Sequence, residues 1–118
     1  NNIFLKEPFD YVDFCHLLNK CDFIITDSGG IQEEAPFLNK QVFILRDKTE
    51  REAVVNLGYA SLLGSKVDII TDKVSDFIIN FKKFEHNKKM VSPYGDGKSS
   101  KEIVKTIKKY FLERQFNK

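Results

Sequence analysis

The sequence has almost no charge imbalance. Lys and Arg number 19 against 17 Asp and Glu, a net of +2, so no basic field points to nucleic acid. No block of like charge is long enough to make a tail, and the most basic stretch, NFKKFEHNKK, reads as a solvated helix face. Only two cysteines are present, Cys15 and Cys21, and their spacing fits neither a metal site nor a redox motif. One falls on an apolar helix stripe and the other just before a strand, as reduced core thiols do, so no disulfide is expected. No apolar run reaches membrane length, and no charged-apolar-small leader opens the chain. The chain therefore reads as soluble and cytoplasmic, with no nucleic acid and no membrane among its partners. It also lacks an initiating Met and starts directly in an apolar run, IFLKEP. Residues 1–118 are thus expected to form a single partial domain of a longer polypeptide.

What the sequence does have is alternation. NIFL, stopped by Pro8, suits a strand. Asp10 can cap a helix whose apolar face holds Tyr11, Phe14, Cys15, Leu17, Leu18 and Cys21. DFIIT is a second strand, residues 29–38 a second helix and QVFIL a third strand. TEREAVVNL makes a short helix ending near Gly58, YASLLG a fourth strand, and residues 67–81 a long helix. After the turn-rich SPYGDG, residues 99–115 form a last helix with Ile103, Ile107 and Tyr110 on one stripe, beside Val104 and Phe111. Strands and helices alternating at this spacing predict α/β architecture, a Rossmann-like parallel sheet with flanking helices. No internal repeat or low-complexity segment interrupts it.

In such sheets ligands collect at the carboxyl ends of strands, and TDSGGIQEEAP lies at one. Ser28 falls at an N-cap, where its hydroxyl can take a backbone N–H of the first turn. Gly29 and Gly30 have no β-carbon, so an anion can approach their N–H groups closely, favoured by the helix dipole. A plain capped helix with a tight turn would read the same way. The motif is neither the six-residue dinucleotide fingerprint nor a nucleoside-triphosphate loop, since no Lys follows. At 100° per residue, Ala35 and Leu38 lie within about 40° of the direction of Ile31, and this arc faces the sheet. Glu34 borders this arc, whereas Glu33 points toward solvent. Glu34 can accept from both ribose hydroxyls, or it can simply complement the helix start. Pro36 predicts a kink or an early end.

DSGGIQEEAP, LRDKTER and SPYGDG, in this order and spacing, resemble the C-terminal part of the non-hydrolysing UDP-N-acetylglucosamine 2-epimerases. The resemblance extends over essentially the whole chain. It implies the second half of the C-terminal domain of a glycosyltransferase-B type fold, with the active site in a cleft against an N-terminal domain outside this chain. It implies UDP and UDP-N-acetylglucosamine as ligands. Ser28, Gly29 and Gly30 match the loop on the diphosphate, and Glu34 matches the ribose carboxylate. Phe14 matches the aromatic against uracil, although the wheel alone makes it core. The main chain after Pro8 would read the polar edge of the base.

Arg51 resembles a cleft-facing cation near the ligand; a surface salt bridge to Glu50 or Glu52 is the competing reading. The family's usual TERPE is here TEREA, with Glu52 for Pro and Ala53 for Glu. The implied chemistry is inversion at C2 of the sugar by elimination and re-addition of UDP, with no cofactor and no metal. Its acids and bases lie upstream, so no catalytic residue is expected in this segment, and neither His16 nor His86 matches one. A homodimer is compatible with the resemblance. Another nucleotide-sugar enzyme, or a module that binds UDP-sugars without turning them over, would use the same phosphate cradle.

Overall fold

The computed structural model describes residues 2–84 and 92–116. Its centre is a parallel sheet of three strands, β1 (Phe23–Thr26), β2 (Gln41–Ile44) and β3 (Ala60–Leu62), whose order in space follows their order in the chain. Ile24 pairs with Val42, and Val42 with Ala60. Side chains alternate across a strand, so β2 feeds two cores. Val42 and Ile44 point into a cluster with Leu18, Ala35 and Val54, while Phe43 packs on the other face with Leu63 and Phe77. Helices therefore cover both faces, as the apolar runs predict for parallel strands.

Helix α1 (Tyr11–Lys20) starts where Asp10 predicts: its carboxylate accepts the Asp13 N–H at 2.9 Å. Its apolar face is narrower than the wheel suggests. Leu18 is buried and Phe14 and Cys15 half-buried, but Tyr11 and Leu17 stay exposed. Both thiols are half-buried, and burial pushes the Cys21 thiol up. Helix α2 (Gly29–Glu34) gives way to a 3₁₀ turn over Ala35–Leu38. Pro36 ends the α-helix early, as expected, because it cannot donate to the carbonyl four residues back. Asn39 then closes the turn in the left-handed region, φ 55°.

Helix α3 (Glu52–Asn56) is shorter than the 49–57 expected, because Arg51 is held outside helical geometry at φ −102°, ψ 53°. Helix α4 (Val67–Phe84) covers the second face and α5 (Ser99–Phe116) closes the described chain. One expected strand needs correction. NIFL is no strand: residues 2–10 have no regular structure, and Ile3, Phe4 and Leu5 are 77%, 76% and 94% exposed. A strand exists only by pairing. Among the described residues β1, β2 and β3 pair only with one another, so this segment has no ladder partner. The apolar stripe on α5 is uncovered among the described residues, with Ile103, Ile107, Tyr110 and Phe111 between 49% and 61% exposed. His86 and the second half of the basic stretch, residues 85–89, lie outside the described residues.

Candidate functional site

The carboxyl end of β1 leads into the glycine pair through a short extended link. Thr26 is buried, and its hydroxyl accepts the Ser28 N–H at 3.0 Å. Ser28 occupies the N-cap as predicted, at φ −75° and ψ 129°, but its hydroxyl makes no capping bond. Four residues on, the Gln32 side chain donates to the Ser28 carbonyl at 3.2 Å and fixes the link from the other side. The N–H groups that open an α-helix have no partner within it, and here no side chain of the cap takes one.

The two glycines have different reasons to be glycine. Neither adopts a left-handed φ. A β-carbon on Gly29 would stand 2.9 Å from Cζ and Nη1 of Arg51, so the guanidinium fills the space a side chain would need. A β-carbon on Gly30 would meet nothing nearer than the Ser28 hydroxyl at 4.0 Å. Neither backbone conformation nor internal packing asks for glycine at position 30.

Arg51 reaches this place from the loop after β2. Its Nε donates to Glu33 at 2.6 Å and its Nη1 to the Glu50 carboxylate, with 23% of the side chain exposed. The hydrogen bond to Glu33 raises the guanidinium pKa further, while Glu50 is held low first by its own backbone N–H and then by Arg51. The sequence-based partner Glu50 is therefore correct and Glu52 is not. Glu33, expected in solvent, is 46% exposed and grips Arg51. The wheel places Glu33 away from the sheet, and that is the side over which the Arg51 loop folds.

Glu34 is half-buried, and its Oε1 accepts the Tyr11 hydroxyl at 3.2 Å. Phe14, one turn along α1, packs against the core cluster of Leu18 and Ile24. The third sequence motif comes to the same neighbourhood. Burial lifts the Tyr94 phenol, the charge of Glu33 lifts it further, and Arg51 opposes. Sequence reasoning treated SPYGDG as a turn and gave Tyr94 no role. It also missed Gln32 and Thr49, whose hydrogen bonds join segments far apart in the chain. Among the described residues no group of His, Cys, Asp and Glu could hold a metal, and no helix is long and apolar enough to cross a membrane.

A hydrogen bond from the Tyr11 hydroxyl to Cys15 chiefly, with the charge of Glu34 adding to it, pushes the Tyr11 phenol from 10.0 to about 12. The raised value means that the folded state holds the proton more tightly. Any stability this lends is whole below the ordinary phenol value and is lost as pH rises through about 12. In the full-length protein, absorbance titration at alkaline pH should lose its latest phenolate step on Tyr11→Phe. A variant that instead loses a step near the ordinary value would break the Tyr11–Glu34 contact as drawn.

A parallel sheet with helices on both faces, and a glycine pair opening a helix at a strand's carboxyl end, places the chain in the α/β class of Rossmann-like sheets. A family model described as UDP-N-acetylglucosamine 2-epimerase matches residues 1–108. The chain belongs to that family. A probable UDP-N-acetylglucosamine 2-epimerase of Ralstonia nicotianae is 43% identical over 94% of this chain, and the UDP-N-acetylglucosamine 2-epimerase of Yersinia pestis is 40% identical over 93%. The crystal structure of UDP-GlcNAc 2-epimerase from Neisseria meningitidis bound to UDP-GlcNAc superposes with a TM-score of 0.80 at 42% identity over 92% of this chain. The S. aureus MnaA–UDP co-structure does so at 0.83 and 41% over the same share. The chain spans 30% of the length of the Ralstonia protein and of both structures.

Proposed function

We propose that this chain is the UDP-binding portion of the C-terminal domain of a non-hydrolysing UDP-N-acetylglucosamine 2-epimerase. The observation that carries the reading is Gly30. Among the described residues nothing requires glycine there, which supports a ligand approaching the loop from outside. In this reading Ser28 and the Gly29 and Gly30 amides receive the diphosphate, Arg51 adds the cation, Glu34 receives the ribose and Phe14 borders the uracil. Structures of two relatives hold UDP-GlcNAc or UDP, which supports that ligand here.

The reaction is elimination of UDP and its re-addition with inversion at C2. A firmly held diphosphate stabilises the charge that develops on the leaving group and retains UDP until it re-adds. The groups that move the C2 proton belong to the rest of the enzyme, across the cleft. The whole protein acts in the cytoplasm, where nucleotide sugars are its substrates.

Glu34 supplies the test. As a ribose acceptor it makes charged hydrogen bonds worth about 1.5–3 kcal/mol each. In the full-length enzyme Glu34→Gln should weaken UDP on the order of tenfold or more, and 2′-deoxy-UDP, already short of one donor, by less. Calorimetry with both nucleotides decides. Equal losses would remove the 2′-hydroxyl from the contact, and no loss for either would remove Glu34 from the site.

A further inference from the structure

Three polar side chains among the described residues are buried, Thr26, Gln32 and Thr49, and all three converge on one loop crossing. Thr26 accepts the Ser28 N–H. Gln32, 1% exposed, donates from Nε2 to the Ser28 carbonyl at 3.2 Å, and its Oε1 accepts the Thr49 hydroxyl at 2.6 Å. Thr49 Oγ1 in turn accepts the Arg51 backbone N–H at 3.1 Å. The direction of each bond is fixed. Thr49 has one proton and gives it to Gln32, so its oxygen is left to receive Arg51. The amide of Gln32 can face only one way, because the carbonyl of Ser28 needs a donor.

We propose that Gln32 and Thr49 are positioning residues that set Arg51 over the glycine pair; this rests on the reading of Arg51 as a phosphate contact. A buried amide is costly unless both its ends are used, and an apolar pair would fill this space without that cost. What the polar pair adds is a fixed distance between the loop after β1 and the loop after β2. That distance brings the guanidinium to where a Gly29 β-carbon would be. Glu33 and Glu50 orient the guanidinium itself, whereas the relay sets the backbone from which it reaches.

The test uses the full-length enzyme with UDP and with uridine, which has no phosphate. Thr49→Val removes the hydroxyl at nearly constant volume and should weaken UDP about tenfold, with uridine unchanged. Thr49→Ser should restore UDP binding to near wild type, and Gln32→Met should reproduce the Thr49→Val pattern. In an Arg51→Ala background the effect of Thr49→Val should vanish, because the two act through one contact. Equal loss of UDP and uridine, or additive losses in the double variant, overturns the relay alone. If Arg51→Ala leaves UDP affinity intact, the phosphate reading of Arg51 fails and the relay's role with it. Failure of both Thr49→Val and Gln32→Met to fold also overturns the proposal, since the pair then holds the fold rather than Arg51.

Discussion

Replacing Gly29 by Ala in the full-length enzyme should leave a folded protein that has lost nearly all of its affinity for UDP. The backbone at this position suits an L-residue, and helices favour Ala over Gly by about 1 kcal/mol. The obstacle is the Arg51 guanidinium, 2.9 Å from the new β-carbon. It is the far end of a long side chain, so it moves away at little cost to folding. Two ligand interactions then fail together: the displaced cation no longer meets the diphosphate, and the methyl group keeps an oxygen from the first-turn amides. Charged hydrogen bonds are worth about 1.5–3 kcal/mol each. The joint loss is therefore roughly 3–6 kcal/mol, or about 10²–10⁴-fold in dissociation constant.

Calorimetry for UDP and a thermal melt on the same sample measure the two sides. A variant that binds UDP normally would show that the ligand does not approach Gly29. Gly30→Ala is the companion, because its β-carbon meets nothing closer than 4.0 Å inside the protein. Any loss there reports the ligand alone.

Phe77→Ala should cost about 3–5 kcal/mol of stability, the range for a buried aromatic truncated in a core. The Phe77 ring is 7% exposed and meets Phe43, Phe23 and Phe81 edge-on at 5.2, 5.4 and 5.5 Å. It joins α4 to two strands at once, so its loss opens a cavity with few neighbours free to fill it. Other domains of the full protein would obscure a single unfolding curve. Amide exchange of Val42 and Phe43 reads the sheet directly, and their opening free energy should fall by that amount. A fall under about 1 kcal/mol would mean that α4 is not seated on the sheet as described.

The contrast between these two residues shows what can be read from a one-dimensional pattern. Asp10, Pro36 and the alternation along QVFI act within a few residues of themselves, so spacing alone locates a cap, a break and a two-faced strand. The glycine pair was legible as the opening of a helix at a strand's carboxyl end for the same reason. Glu33 was misjudged because a helical wheel knows only its own axis and cannot see a loop that returns 18 residues later to bond there. Gln32 and Thr49 were silent because a polar residue beside an apolar stripe is ordinary until its partner arrives from beyond β2. NIFL failed differently. Its composition is that of a strand, but pairing is decided by a neighbour that composition does not name.

The grip of Glu33 and Glu50 on Arg51 bears on how a nucleotide finds the loop. A bare guanidinium at the mouth of a cleft would draw a diphosphate from a distance and speed its capture at low salt. Here the positive charge is already matched by neighbouring carboxylates, and the whole chain carries only +2. This chain therefore adds little far field of its own, and in the proposed site its contribution to encounter should be that of unsteered diffusion, about 10⁵–10⁶ M⁻¹s⁻¹ for neutral partners, with little change on ionic strength. In the proposed site, recognition would begin at contact, with phosphate oxygens competing with the Glu33 and Glu50 carboxylates for the same N–H groups.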